Sequence, residues 1–246
     1  MRTKICGITR YEDAEAAVQA GAWAIGLNHW PESKRHVDRD VAEEIGTLLR
    51  RKVEVVGVFV NATLGTIATA AEREQLGYVQ LHGDEGPSFC AEVARRTGCK
   101  VIKAFRVRSS ADVRGATAYR TDFHLFDTYR PSTPGGTGES FDWELVRRRK
   151  SPRRGGIPAI VAGGLTPENV AEAIQASNPW AVDVAGGVEV EGRPGVKDHD
   201  LMRSFIEAAH LAEDPDDAGR NDLQPEKTPE DERETPRPDR GEPSRA

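Results

Sequence analysis

The sequence predicts an α/β protein, a single-domain (β/α)₈ TIM barrel followed by a disordered, acidic, proline-rich C-terminal tail. Three observations carry this prediction. Short apolar runs alternate with amphipathic stretches along most of the chain, whose 246 residues suit a one-domain barrel. The composition changes near residue 213. We therefore expect a barrel over residues 1–212 and a tail over residues 213–246, with a doubly wound open sheet as the alternative to the barrel.

The predicted strands read as continuous apolar runs, which is typical of parallel strands covered on both faces. In chain order, they are Thr3–Cys6, Trp23–Leu27, Val53–Val60, Tyr78–Leu81, Lys100–Phe105, Phe123–Phe126, Pro158–Ala162 and Ala181–Val184.

Amphipathic stretches between these runs predict helices. They include Tyr11–Ala20, Val41–Arg50, Pro87–Thr97, Glu168–Ala176 and, after the last strand, Asp198–Leu211. Gly21 and Gly98 stand just past helical stretches, where a glycine commonly ends a helix. Thr166 followed by Pro167 is typical of a helix start.

The net charge of −6 lies wholly in residues 213–246, where twelve Asp and Glu exceed six Lys and Arg. Leu223 is the only aliphatic residue larger than alanine there, so the segment has too little apolar area to offset the entropy of ordering. The preceding residues are charge-neutral and show no bias toward nucleic acid. With no apolar segment of membrane-spanning length and no signal peptide, we expect a soluble cytoplasmic protein without membrane contact.

The three cysteines, Cys6, Cys90 and Cys99, form no C-x-x-C pair. This odd number argues against a disulfide framework and a zinc site, so we expect no metal.

Catalytic side chains of a barrel lie at the C-terminal ends of its strands. Cys6 ends the first run and Asp127 follows the sixth. A thiolate at such a position can remove a proton, although Cys6 could equally be a small packing residue. A carboxyl group is costly to bury unless it is used, and Asp127 is a natural proton donor. The glycines of residues 135–138 predict a mobile lid over this end.

Other strand ends predict contacts with an anionic substrate. Arg35 can grip a carboxylate with its planar fork. His82 could contact substrate or cap the next helix. Gly163-Gly164 and Asp183 to Gly186 end the seventh and eighth runs, where barrels commonly bind phosphate through backbone N–H groups.

Taken together, these residues resemble the phosphoribosylanthranilate isomerase family from Lys4 to about Ala209. The motifs are Lys4-Ile5-Cys6-Gly7-Ile8-Thr9, Gly57-Val58-Phe59-Val60-Asn61, Val79-Gln80-Leu81-His82-Gly83, Phe141-Asp142-Trp143, Ala162-Gly163-Gly164-Leu165, Pro167-Glu168-Asn169-Val170, Gly187-Val188-Glu189 and Pro194-Gly195-Val196-Lys197-Asp198. The chain departs from the family at Ser33-Lys34-Arg35, where a Ser-Pro-Arg step is usual, and at Ala185-Gly186, where two serines are common.

The resemblance implies that Cys6 is the general base, that Asp127 is the general acid and that Arg35 holds the anthranilate carboxylate. It implies an Amadori rearrangement of N-(5-phosphoribosyl)anthranilate to 1-(2-carboxyphenylamino)-1-deoxyribulose 5-phosphate in tryptophan biosynthesis. The expected partner is this small phosphoribosyl substrate, with no cofactor. Two alternatives stay open: a sister aminoaldose isomerase of histidine biosynthesis, which typically uses two aspartates, and a non-catalytic phosphate-binding or scaffold barrel. The oligomeric state is not predicted.

Overall fold

The computed structural model describes residues 1–128, 143–147, 149 and 155–212. Within them, the strands pair in sequence order into a closed barrel, so the predicted (β/α)₈ barrel is confirmed and the open-sheet alternative is wrong. The predicted lid at residues 135–138 and the predicted tail at 213–246 lie outside the described residues.

All eight predicted strands are present, with bounds within two residues of the predicted ones. They are β1 (Arg2–Cys6), β2 (Ala24–Asn28), β3 (Glu54–Phe59), β4 (Tyr78–Leu81), β5 (Lys100–Val107), β6 (Phe123–Thr128), β7 (Ala159–Ala162) and β8 (Ala181–Val184).

The helices follow the strands in alternation. They are α1 (Tyr11–Gln19), α2 (Arg39–Leu49), α3 (Leu64–Arg73), α4 (Pro87–Thr97), α5 (Ser110–Gly115), α6 (Glu144–Arg147), α7 (Val170–Ser177) and α8 (His199–Leu211), with short 3-10 turns at Ala116–Ala118 and Gly186–Val188. Gly21 and Gly98 adopt φ of 87° and 71° past the ends of α1 and α4, as predicted.

The predicted start of the seventh helix at Thr166 is wrong. Helix α7 begins at Val170, and Thr166 lies in the turn before it. The physical reason is a competing hydrogen bond: the Thr166 backbone N–H donates to Asn169 Oδ1 at 2.8 Å, which folds the chain into a turn first.

Closure brings the two ends of the barrel chain together. Strand β1 pairs with β2, where Cys6 is opposite Gly26, and with β8, where Lys4 is opposite Asp183. Residues of the first and last strands therefore share one side of the barrel interior.

Alternate residues of each strand face opposite sides of the barrel wall. Ile160 and Ala162 of β7 belong to the apolar cluster that fills the barrel, whereas Val161 belongs to the larger cluster that packs under the helices. By the same alternation, Lys4 and Cys6 of β1 face the interior, since Ile5 between them packs under the helices.

The N-terminal end of the barrel interior is closed by an aromatic floor, which comprises Trp23, Tyr78, Phe123 and Trp180. The Trp180 ring centroid lies 4.8 Å from that of Trp23 and 4.5 Å from that of Phe123. Tyr78 contacts Trp23 edge-on at 5.5 Å. Edge-on and tilted aromatic pairs of this kind add stability beyond the apolar area that they bury.

Candidate active site

A cavity of about 360 Å³ opens at the C-terminal ends of the strands. We call it the catalytic cavity, and its walls include Cys6, Asn28, Trp30, Arg35, Val58, Val60, Gln80, His82, Arg106, Asp127, Gly163, Gly164, Asp183 and Gly187. The structure thus brings together seven of the eight sequence-predicted site residues. The eighth, Gly186, does not line the cavity, and its neighbour Gly187 does.

Cys6 lies beside a buried ion pair. The Lys4 ammonium group is fully buried and donates to Asp183 Oδ1 at 2.9 Å. Gly26 faces both Cys6 and Lys4, since a Cβ at this position would lie 2.8 Å from Cys6 Sγ and 3.0 Å from Lys4 Nζ. The ion pair fits under the thiol because the facing residue of β2 has no side chain.

Two opposing effects act on the Cys6 thiol. Burial raises its pKa, because a thiolate loses solvation inside the protein. The Lys4 ammonium opposes this shift by its charge and by a hydrogen bond to the thiol, but the pKa stays above its ordinary value. Burial alone would lower the pKa of Lys4, yet Asp183 and Cys6 hold it above its usual value, so Lys4 remains a cation.

Asp127 lies in contact with His82. The His82 Nε2 atom is 3.3 Å from Asp127 Oδ2, and the Gln80 amide nitrogen is 2.9 Å from His82 Nδ1. Gln80 is buried, whereas His82 and Asp127 are each partly open to the cavity. The open face of the carboxyl group allows it to reach a substrate while the imidazole supports it from the side.

Arg35 lies in the loop after β2 and forms a bidentate ion pair with Glu189. Its Nε and Nη2 atoms donate to the two Glu189 carboxylate oxygens, each at 2.7 Å. Glu189 also accepts from Lys197 Nζ at 3.2 Å. Burial alone would raise the pKa of Glu189, but Arg35 and Lys197 hold it below its usual value. The Nη1 group of Arg35 makes no hydrogen bond to the described residues, so its donors are not used by the pair with Glu189.

The loop after β7 has the backbone shape that only glycine adopts easily. Gly163 and Gly164 have φ of 94° and 61°, and both line the cavity. Asn169 fastens this loop, because its amide nitrogen donates to the Gly164 carbonyl oxygen at 2.9 Å. Gly187 packs against the same loop, where a Cβ would lie 2.0 Å from the Leu165 carbonyl oxygen.

The loop that carries His82 is fixed from below by a buried ion pair. Lys103 donates to Glu85 Oε2 at 3.0 Å and to the carbonyl oxygen of Gly83 at 2.7 Å. Glu85 in turn accepts from the backbone N–H groups of Asn61 and Gly83. Both charges are therefore fully hydrogen-bonded, and we assign them to holding the loop rather than to chemistry.

The described part of the chain contains no cluster of three or more His, Cys, Asp or Glu side chains that could hold a metal ion. The same residues include no helix long and apolar enough to cross a membrane.

A model of the family described as N-(5'-phosphoribosyl)anthranilate (PRA) isomerase matches residues 3–208, which include every lining residue of the catalytic cavity. The chain belongs to the PRA isomerase family. The resemblance in the sequence motifs is thereby confirmed. The match selects the tryptophan-pathway isomerase over the sister enzyme of histidine biosynthesis and over a scaffold barrel. The chain is an isomerase of tryptophan biosynthesis.

Individual PRA isomerases are similar over nearly their whole length. The N-(5'-phosphoribosyl)anthranilate isomerase of Geobacter metallireducens is 46% identical over 209 residues, which are 85% of this chain and 98% of that protein. The crystal structure of the enzyme from Thermotoga maritima is 42% identical with a TM-score of 0.75, over 86% of this chain and 99% of that chain. A PRA isomerase crystallised with reduced 1-(o-carboxyphenylamino)-1-deoxyribulose 5-phosphate is 40% identical with a TM-score of 0.74, over the same shares of the two chains.

Sequence reasoning missed several residues of this PRA isomerase site. Lys4 and Gln80 each stand two positions before a predicted residue, Cys6 and His82, so the period of a strand places them on the same face. This signal was available in the sequence. Arg106 faces the cavity next to Asp127 in the strand register, which the pairing of β5 and β6 shows but the sequence does not.

Proposed function

We propose that this chain converts N-(5-phosphoribosyl)anthranilate to its aminoketose, with Asp127 as the general acid and Cys6 as the general base. One observation carries the proposal: Asp127 on β6 and Cys6 on β1 line the same cavity and flank the glycine loops after β7 and β8. This arrangement supports a substrate position in which the phosphate group binds those loops and the reacting carbons lie between the two side chains.

In the first step, Asp127 protonates the ring oxygen of the ribose. The bond between that oxygen and C1 breaks as the anthranilate nitrogen donates its electron pair to C1. The products are an open-chain hydroxyl group and a protonated Schiff base, and Asp127 is left as a carboxylate. His82, 3.3 Å away, supports the charge that forms on Asp127 in this step.

In the second step, the Cys6 thiolate removes the proton from C2. The electron pair of the C–H bond moves toward C1 and neutralises the imine nitrogen, so an enolamine forms. The enolamine then gains a proton at C1 and loses the proton of its C2 hydroxyl group, which gives the 2-ketone. The proton that Cys6 has taken balances the one that Asp127 has given, so the isomerisation has no net proton change. Because the imine and the aromatic ring accept the electrons, we propose that the reaction uses no cofactor.

Formation of that thiolate depends on Lys4. Burial raises the pKa of Cys6, and the fixed ammonium of Lys4 is the first of the charges that oppose it. Asp183 keeps this ammonium in place at 2.9 Å. We therefore propose that Asp183 holds Lys4 in position, instead of binding the substrate as the sequence position suggested.

The two ends of the substrate are anions, and we propose separate sites for them. The phosphate group binds the backbone of the Gly163-Gly164 loop and of Gly187 in the adjoining turn. The anthranilate carboxylate binds the Nη1 edge of Arg35, which the pair with Glu189 leaves unused. Gly186 contributes indirectly, since a Cβ there would lie 3.1 Å from Arg35 Nη2.

We also propose that the protein works in the cytoplasm, since Cys6, Cys90 and Cys99 are all free thiols.

A turnover assay tests the function directly. Anthranilate and a phosphoribosyl donor are supplied in a coupled system, and the loss of anthranilate-type fluorescence is followed with the full chain. We expect turnover with this substrate and none with the histidine-pathway aminoaldose. Turnover of the histidine-pathway compound alone, or of neither compound by folded protein, would contradict the proposal.

A further inference from the structure

Gln80 is a buried polar residue of the catalytic cavity that the mechanism above does not use. Its amide nitrogen lies 2.9 Å from His82 Nδ1, and His82 Nε2 lies 3.3 Å from Asp127 Oδ2. The three side chains thus form a line that ends on the proposed acid. Gln80 is the only member of this line that cannot gain or lose a proton.

The chemistry of the amide fixes the proton on the imidazole. The structure places the amide nitrogen of Gln80, and not its oxygen, against His82 Nδ1. A primary amide nitrogen can only donate a hydrogen bond, so in this arrangement His82 Nδ1 accepts and carries no proton. The proton of the neutral ring therefore lies on Nε2, which points toward Asp127 Oδ2. In this tautomer, His82 is a hydrogen-bond donor to the carboxyl group.

The tautomer decides which oxygen of Asp127 can carry the acid proton. With the N–H group of His82 against Oδ2, that oxygen acts as an acceptor, and a proton on the carboxyl group must lie on Oδ1. In the opposite tautomer, His82 Nε2 would carry a lone pair, and a protonated Asp127 would donate from Oδ2 to the imidazole. The acid proton would then point at His82 instead of at the substrate.

The surroundings of Gln80 favour this orientation of its amide. The Gln80 oxygen is buried and has no hydrogen-bond partner among the described residues. Turning the amide over would leave the NH2 group, with two donors, in that place, so the observed orientation leaves fewer hydrogen bonds unmade. Asp127 has Arg106 beside it on β5 and the non-titrating Ala162 on β7. The other titratable groups of the cavity are Cys6 on β1, Arg35 in the loop after β2 and Asp183 on β8.

We propose that Gln80 is a positioning residue that holds His82 in its Nε2–H tautomer and thereby places the acid proton on Asp127 Oδ1. This inference rests on the proposed acid role of Asp127. As Asp127 gives its proton to the ring oxygen, the His82 N–H group meets a growing negative charge, and its hydrogen bond strengthens. Gln80 thus acts on the ring-opening step and has no part in binding the substrate.

The nitrogen signals of His82 in the wild-type protein give the first test and require no variant. NMR of the imidazole nitrogens, recorded where the ring is neutral, should show the proton on Nε2. A neutral ring with the proton on Nδ1 would overturn the proposal.

The second test replaces the amide by a group that can only accept. Gln80→Glu has nearly the same shape, but its carboxylate demands a proton on His82 Nδ1. We expect kcat to fall roughly tenfold or more with little change in KM, because acid catalysis as a whole contributes about 10²–10⁴. The NMR signals should show a protonated Nδ1. The matched control is Gln175→Glu on the exposed face of α7, which should change neither quantity.

A double-mutant cycle separates this inference from the proposed function. In an Asp127→Asn background, the further change Gln80→Glu should cause almost no additional loss of kcat, because the carboxyl group through which Gln80 acts is already absent. An equal loss of kcat in both backgrounds would overturn the role of Gln80. If Asp127→Asn instead kept full turnover, the acid assignment itself would fail, while the NMR signals would still report whether Gln80 sets the tautomer of His82.

Discussion

The aromatic floor and the catalytic cavity are built on the same strands and have opposite chemistry. On β4, Tyr78 belongs to the floor, and Gln80, two residues later, faces the cavity. On β6, Phe123 belongs to the floor and Asp127 to the cavity. Floor side chains bury aromatic area that needs no counter-charge. The cavity side lies on a buried ion pair and includes an amide oxygen that has no partner among the described residues, and both features favour chemistry over stability.

The position of a residue along its strand therefore separates its effect on stability from its effect on catalysis. A residue near the start of a strand should affect stability, and a residue at its end should affect turnover.

The largest loss of turnover without a loss of stability is expected from changes at the proposed acid and base. Cys6→Ser and Asp127→Asn should each lower kcat by about 10²–10⁴, since a serine hydroxyl is far harder to ionise than a thiol and an amide cannot donate the acid proton. Neither change alters size appreciably, so the free energy of unfolding should stay within about 0.5 kcal/mol. Steady-state kinetics with urea unfolding checks both. Near-full kcat in folded Cys6→Ser protein would show that another group, with His82 the first candidate, is the base.

A change at Lys4 should affect both stability and turnover, because Lys4 lies below the cavity and its charge acts on Cys6. Lys4→Met leaves the Asp183 carboxylate buried without its partner, which should cost about 3–5 kcal/mol of stability. It also removes the charge that opposes the rise in the pKa of Cys6, so the rate should rise only at a higher pH than in the wild type. The pH profile of kcat/KM is the deciding measurement. The double variant Lys4→Met with Asp183→Asn is the control for stability, since it leaves no buried charge.

Changes in the aromatic floor should have the reverse effect, a loss of stability with little loss of turnover. Phe123→Ala removes a ring that packs 4.5 Å from Trp180 and 6.0 Å from Tyr78, and it should cost about 3–5 kcal/mol in the free energy of unfolding. The kcat of the molecules that remain folded should be within about twofold of the wild type, since no floor residue lines the cavity. Phe123→Leu is the milder control. A large loss of kcat in folded Phe123→Ala protein would mean that the floor sets the geometry of the cavity.

His124 lies between these floor and cavity residues of β6, on the other side of the barrel wall, and should control part of the acid sensitivity of the fold. Burial, together with the neighbouring Arg149, lowers its pKa to about 4 from an ordinary value of 6.5. Below pH 6.5, His124 therefore gains a proton in the unfolded chain but stays neutral in the folded chain. The contribution of neutral His124 to the free energy of unfolding is complete above pH 6.5 and is lost as the pH falls toward 4.

The expected slope is about 1.4 kcal/mol per pH unit in that window, up to a total of about 3 kcal/mol. His124→Gln cannot take up the proton, so its unfolding free energy should fall less steeply between pH 6 and 4.5 than that of the wild type. Urea unfolding at several pH values measures the difference. Parallel slopes for the two proteins would mean that His124 titrates normally in the fold.

The smallest effect is expected from removal of the predicted tail, whose residues lie outside the described part of the chain. Removal of residues 213–246 takes away the whole net charge of −6 but only one aliphatic residue larger than alanine. We expect kcat/KM and Tm to remain nearly unchanged in the shortened protein. A fall in Tm of more than a few degrees would show that these residues pack on the barrel.

The sequence predicts the barrel well because its signals are local. Each strand is one apolar run, and the two residues that end β1 and follow the β6 run, Cys6 and Asp127, are visible without any contact map. The hydrogen-bond partners of site residues are harder to predict from the sequence. Glu189 and Arg35 form an ion pair although they are 154 positions apart in the chain, and no local sequence pattern predicts such a pair. The start of α7 was misplaced because the hydrogen bond from Thr166 to Asn169 competes with the helix.

The ion pair between Lys4 and Asp183 joins residues 179 positions apart, on the first and the last strand. During synthesis, Lys4 therefore leaves the ribosome long before its counter-ion exists. A nascent chain that stops short of β8 has no carboxylate to accompany this lysine into the interior, and burial of the unpaired charge opposes premature closure. The chain reaches its working form only after its last strand is made, so the same contact that prepares the thiol also distinguishes a finished barrel from a fragment.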